Sequence, residues 1–381
     1  MQVFGSSELV EDVLKKELCI GCGACVNLCP YFKNYKGKTS MLFPCTLSRG
    51  RCFAFCPKTE VDLDVLATCF WNTPYEGSPL GKYDRVLMAR AGKKMDKAAY
   101  QAGGTVSALI TLALEEGLID AAVLTGQKDM IPIPQLATQA EQVTECAGSK
   151  FMAAPTLSAL NQGVHQGYER IGVVGTPCQI MAVAQMRTNP LDHKNFKDPV
   201  ALTVGLFCTW AIDARKLEPV LTECIGDACI QSMDMPPPPS EIMVINTVNG
   251  KVEIPLERIR PLVPKGCHVC PDMTSEWADV SVGVLEGMPA WNTLIIRTKA
   301  GDQLITDACR KGYLERQPLP AENLKHLCTA AAKKKKRALI QARDEGFLNP
   351  AQKDRRAGLR LRPEVVERII GGDPEELCQS S

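Results

Sequence analysis

The chain has 381 residues, 45% of them hydrophobic and 23% charged, with a formal net charge of +1. That composition suits an ordinary globular protein with room for two or three cores, and its near-neutrality argues against a large electrostatic footprint for nucleic acid or anionic membrane. No apolar run approaches the roughly eighteen residues that span a bilayer, and Met1–Leu18 lacks a signal-peptide core, so a cytoplasmic protein without a membrane span is expected.

Residues 1–72 are dense in Cys, Gly, Pro and Lys and poor in long periodic segments, which predicts a small α+β domain stapled by metal. CIGCGACVNLCP places Cys19, Cys22, Cys25 and Cys29 at the C-x2-C-x2-C-x3-C-P spacing of bacterial ferredoxins, in which the fourth cysteine crosses to a second cluster. A second half arrives as CTLSRGRCFAFCP, where Cys52 and Cys56 keep the C-x3-C-P ending and only Cys45 precedes them. The crossover rule assigns Cys19, Cys22, Cys25 and Cys56 to one 4Fe-4S cluster and Cys29, Cys45 and Cys52 to another. The second stays open: a three-iron cluster, a four-iron cluster completed by Cys69 or by a non-thiolate, or a degenerate remnant. Zinc is the competing reading, but zinc sites use pairs of ligands and have no use for four thiols so tightly spaced.

TPYEGSPLGK, residues 73–82, reads as a linker, and an α/β texture follows over residues 83–320. YDRVLMARA and DAAVLTG are predicted strands, GGTVSALITLALEEGLI and PTLSALNQGVHQG predicted helices, and RIGVVGTPC and ALTVGLFC short apolar strands suited to a mostly parallel sheet. Functional groups gather at the carboxyl ends of such strands, where Cys178 and Cys208 sit; if the strands are neighbours, the two sulfurs share one rim. After a polyproline break at residues 236–239, IMVINTVNGKVEIPLERI predicts a hairpin turning at Asn249-Gly250. It leads into KGCHVCPDM, whose Cys267 and Cys270 complete a third four-thiolate site. A thioredoxin-like disulfide would want its Cys-x-x-Cys at a helix start after the first strand of a βαβ unit; zinc is harder to exclude by spacing, and the neighbouring ferredoxin motif favours iron. WADVSVGVLEG and WNTLIIRTKAGDQL read as further strands, and residues 321–381 as a basic helical extension. Its KKKKR run reads as a solvated helix face, with a docking element for an acidic surface as the alternative. Cys146, Cys224, Cys229, Cys309, Cys328 and Cys378 read as small buried hydrophobes or inert thiols.

No G-x-G-x-x-G follows a strand, but QAGGTVSALI offers two glycines, Gly103 and Gly104, and two hydroxyls, Thr105 and Ser107, at a helix start whose amides suit an anion; a plain helix cap is the competing reading. The ordered set GGTVSALI, AGSKF, VVGTPCQI, GLFC, KGCHVCPDM, ADVSVG and WNTLIIRT resembles the beta-subunit family of coenzyme F420 hydrogenases and dehydrogenases, over about Lys82 to Pro318. The resemblance implies one FAD and one 4Fe-4S cluster in the core, with the ligands at Cys178, Cys208, Cys267 and Cys270. It implies a flavin along Gly103, Gly104, Thr105 and Ser107 and along Ser149 and Lys150, with Thr176, Trp291, Asn292 and Thr293 near it. The implied function is an electron-transfer subunit that exchanges a hydride between FAD and a soluble carrier, F420 or NAD(P)H, and exchanges single electrons with a partner subunit through its clusters. That step needs no side-chain acid or base, so no catalytic residue is nominated. GVLEGMPAWNT departs from the family pattern and leaves the carrier open. Two alternatives are a self-sufficient reductase of an organic substrate, like the family's 7-hydroxymethyl chlorophyll a reductase, and a zinc-stapled module holding nucleic acid through KKKKR.

Overall fold

The apolar runs of the middle of the chain become the strands of one eight-stranded sheet. The computed structural model describes residues 3–95, 100–128, 131–188, 191, 196–237, 239–349 and 358–379. In chain order the strands are β1 (Phe32–Tyr35), β2 (Lys38–Met41), β3 (Arg85–Ala91), β4 (Ala121–Lys128), β5 (Ile131–Ala137), β6 (Ile171–Gly175), β7 (Val200–Leu206), β8 (Ile230–Asp234), β9 (Ile242–Thr247), β10 (Gly250–Pro255), β11 (Val280–Val284), β12 (Asn292–Ile296), β13 (Leu314–Pro318), β14 (Leu348–Asn349) and β15 (Leu359–Arg360). The main sheet runs β13-β3-β12-β11-β7-β6-β4-β5. Strands β6 and β12 are buried along their whole length, as strands covered on both faces must be.

The expected mostly parallel sheet is corrected to a mixed one. Only β4, β6, β7 and β11 run parallel to their neighbours in the centre. Strands β12, β3, β13 and β5 pair antiparallel on the flanks. The cause is connection length: β5 follows β4, and β12 follows β11, too closely for a crossover helix. Two other readings shift. The β9–β10 hairpin turns at Val248–Asn249, one residue early, with Gly250 at φ +126° opening β10. KAGDQL is not strand but the start of the helix Lys299–Arg310, capped by the Thr298 side chain. The polyproline break includes residue 238, outside the described residues.

Helices Thr105–Glu115 and Lys299–Arg310 cover one face of the sheet. Helices Leu157–His165 and Pro177–Thr188 cover the other and share their core with the N-terminal lobe. That lobe, with the β1–β2 hairpin and short helical turns, is not free-standing. Leu157 N–H donates to Cys22 O, and Asn161 Nδ2 donates to Ala24 O at 3.0 Å and Val26 O at 2.7 Å. Gly23, at φ +88°, leaves no room for a side chain: a Cβ there would lie 2.4 Å from Pro155 O.

The segment 73–82 has no strand or helix yet is held. Tyr75 and Leu80 are buried, Arg297 donates to Leu80 O and Lys82 O, and Lys335 donates to Ser78 O. The KKKKR run is also corrected: it sits in the helix Ala321–Asp344, and two of its lysines are buried, Lys334 4% and Lys335 1% exposed. Lys335 pairs with buried Glu276 at 2.5 Å, and Lys336 donates to Gly372 O. Lys333 and Arg337 remain exposed, so the run is divided between solvent and internal contacts. Cys328 and Cys378, read as lone thiols, form a disulfide that ties this helix to the helix Pro374–Gln379.

Asn161→Leu keeps the volume and removes both donors to the ferredoxin-motif loop. It should destabilise the chain by about 1–3 kcal/mol, read as a lower midpoint in denaturant, because two buried carbonyls lose their partners.

Candidate metal centres

Strand ends and loops gather the cysteines into three groups. In the first, Cys22 feels the charges of Cys56 and Cys19, and Cys25 those of Cys22, Cys56 and Cys19. In the second, Cys52 is acted on by Cys29 and Cys45. Cys69 lies exposed near the end of the helix Leu63–Trp71, unlike those three half-buried thiols. The third group joins Cys178 and Cys208, just past the ends of the adjacent parallel strands β6 and β7, with Cys267 and Cys270. The charge of Cys52 also reaches Cys25, and that of Cys178 reaches Cys22.

Burial raises Cys22, Cys25, Cys52, Cys56, Cys178, Cys208 and Cys267, and their neighbours' negative charge raises them further. Cys56 and Cys178 are each pushed up to about 12 and Cys52 to about 11; burial also pushes Cys22, Cys208 and Cys267 upward. A group of thiolates is therefore untenable here without a cation to bind them, which is what a metal centre provides. Among the described residues no three His, Cys, Asp or Glu side chains come close enough to share one metal ion.

The loop behind Cys267 and Cys270 is a buried polar knot. Asp272 accepts from Thr274 N and Glu276 N, Ser275 donates to Leu206 O, and buried Arg297 donates to both the carbonyl and the hydroxyl of Thr274. Tyr75 and Lys335 both donate to Glu276. On the outer side Lys334 Nζ donates to Cys208 O and Asp272 O, each at 2.6 Å. Lys58 is buried between the first and third groups, and its charge pulls Cys56, Cys178 and Cys267 back down. None of Lys58, Lys334, Lys335 and Arg297 was signalled by spacing; long basic side chains reach inward from positions that look exposed in the sequence.

The segments expected around a flavin meet one another. Ser149 N donates to Gln101 Oε1 at 2.7 Å, Asn292 Oδ1 accepts from Thr105 N at 3.3 Å, and a Cβ on Gly103 would lie 2.6 Å from that same Oδ1. Gly104 is the left-handed cap, at φ +72°, of the helix Thr105–Glu115. Thr105 Oγ1 is buried without a hydrogen-bond partner. Ser107 and Thr293 are buried, and Trp291 packs under the Arg90 guanidinium, 4.5 Å from the ring centre. Lys150 Nζ is turned onto the carbonyls of Cys146, Ala147 and Gly148, and burial lowers its pKa. Thr176 has its hydroxyl 3.3 Å from Cys178 Sγ.

Two stretches match the family described as coenzyme F420 hydrogenase/dehydrogenase, beta subunit: residues 86–161 match its N-terminal part and residues 168–322 its C-terminal part. Residues 13–31 match a 4Fe-4S binding domain. The chain is 30% identical over 243 residues to the coenzyme F420 hydrogenase subunit beta of Methanosarcina barkeri, covering 63% of this chain and 84% of the relative. With the subunit of the same name from Methanothermobacter thermautotrophicus, identity is 30% over 70% of this chain and 97% of the relative. With a subunit of the F(420)H(2) dehydrogenase of Methanosarcina mazei it is 28% over 77% and 83%. Among solved structures, a chain of the F420-reducing NiFe hydrogenase complex from Methanosarcina barkeri superposes with a TM-score of 0.63 at 28% identity, covering 70% of this chain and 93% of that one.

Replacing Cys270 with Ser should remove about four iron atoms per chain from the anaerobically purified protein and leave the N-terminal iron in place. Unchanged iron content would put Cys270 outside the third centre.

Proposed function

Because the chain belongs to the coenzyme F420 hydrogenase/dehydrogenase beta-subunit family, whose members are subunits of oxidoreductases, we propose that it is the FAD-bearing, iron-sulfur electron-transfer subunit of an F420-linked complex. The observation that carries this reading is the series of three cysteine groups on loops packed against one another: a Cβ on Gly266, beside Cys267, would lie 2.1 Å from the carbonyl of Leu18, beside Cys19. Such a series is a wire, and isolated structural metal sites have no need of one. When bound, FAD exchanges a hydride with a soluble carrier and releases electrons singly, and each cluster carries one electron at a time.

The chain's own residues fit those groups. Cys178, Cys208, Cys267 and Cys270 would hold the core cluster, and Cys19, Cys22, Cys25 and Cys56 the next. Cys29, Cys45 and Cys52 would hold the outermost in a ferredoxin-like lobe, with Cys69 too exposed to be favoured as its fourth ligand. For the flavin, the Gly103-Gly104 turn admits a close approach of backbone, and the unpartnered Thr105 hydroxyl supplies a buried polar group in need of a partner. The strap from Gln101 to Ser149 and the brace from Asn292 to Thr105 hold that cradle shut from two sides. Lys150 would have to leave its three carbonyl partners to meet a phosphate. Thr176, beside Cys178, is better placed to orient a cluster ligand than to touch the flavin.

F420 is the favoured carrier because it stands in the names of the relatives, and the partner is the subunit that performs the complex's other half-reaction. Mixing the anaerobic holoprotein with reduced F420 and, separately, with NADH should bleach the flavin absorbance with reduced F420 alone. Bleaching by NADH alone would reassign the carrier, and a holoprotein without flavin would overturn the reading.

A further inference from the structure

We propose that Lys334 is a positioning residue of the core centre, its buried ammonium raising the reduction potential of the cluster held by Cys178, Cys208, Cys267 and Cys270. The inference rests on the reading of that centre as an iron-sulfur cluster and goes beyond it, since Lys334 lies past the matched family segments, which end at residue 322. Its helix, Ala321–Asp344, passes over the ligand loops, and its side chain drops inward so that only 4% of the residue is exposed. There Nζ donates to the carbonyl of Cys208, itself a ligand, and to that of Asp272, two residues past Cys270, at 2.6 Å each.

Two carbonyl dipoles do not balance a whole buried positive charge. Among the described residues no carboxylate forms an ion pair with Lys334, and the negative charges acting on it come first from Cys270 and Cys208, with the Asp272 carboxylate after them. The next residue makes the contrast: Lys335, equally buried on the same helix, is neutralised by Glu276 at 2.5 Å. One lysine is a structural ion pair, and the other leaves its charge to the cluster.

The sign follows from charge alone. Taking up one electron makes a cluster with four thiolate ligands more negative, so a fixed cation beside those thiolates favours the reduced form. Lys334 thus makes the core cluster a readier electron acceptor.

The test is an anaerobic redox titration of the full-length holoprotein, with cluster signals followed by electron paramagnetic resonance and iron and sulfide quantified for each variant. In Lys334→Met with full iron, the ratio of reduced to oxidised core cluster at a fixed potential should fall about tenfold, which for a one-electron couple is about 59 mV toward negative potential. Lys334→Arg should restore the native midpoint. Removing the neighbouring ion pair as a unit, Lys335→Met together with Glu276→Gln, disturbs the same helix with no net change of charge and should leave the midpoint in place. An unchanged midpoint in iron-replete Lys334→Met overturns the proposal. Should that variant lose core iron, the midpoint is read in Lys334→Gln, which keeps a donor and drops the charge; an unchanged value there, or loss of iron in both, reduces Lys334 to a structural strut. Failure of the underlying reading would look different: native protein whose iron content does not respond to Cys270→Ser.

Discussion

Negative charge crowded into a low-dielectric interior is the constraint on which this protein is arranged. Burial and the neighbouring sulfurs oppose ionisation of Cys178 and Cys208, so thiolates there call for a cation beside them. The backbone must then hold the sulfurs in place against their own repulsion, and this explains why the ligand loops are among the most heavily braced parts of the chain. Asn161 clamps the first loop from the helix beneath it. A Cβ on Gly266, beside Cys267, would lie 2.1 Å from Leu18 O, so the third loop is pressed directly against the first. Close packing of the loops brings the cysteine groups of the first and third loops to the same part of the molecule.

Around the core centre the bracing is polar and fully internal. Asp272, Thr274, Ser275 and Glu276 are buried, and Arg297, Lys334, Lys335 and Tyr75 come from distant parts of the chain to meet them. Breaking one partner from a buried pair such as Lys335 and Glu276 costs about 3–5 kcal/mol, because the survivor keeps its desolvation penalty. The C-terminal helix and the segment 73–82 are therefore structural members of the core centre's surroundings, although both lie outside the family's matched segments.

Much of this was legible in the residues. Thiol spacing pointed to the two N-terminal groups and the strand ends to the third, and the runs IGVVG and ALTVGL announced strands of a covered sheet. The GGTVSALI helix start, AGSKF and WNT were expected to lie together and do. What stayed hidden depends on distant partners. KKKKR has the same local pattern whether its lysines meet water or Glu276, and the disulfide of Cys328 and Cys378 joins residues 50 apart with no motif around either. The antiparallel flanks of the sheet were hidden in loop lengths, which the apolar pattern of a strand does not encode.

The helix Ala321–Asp344 bears on biogenesis. All four thiols of the core centre precede it in the chain, so they leave the ribosome before their cover does, and until that helix docks the loops remain accessible from the side that Lys334 later closes. Any metal bound at those thiols would thus meet more open loops before the helix docks than after it.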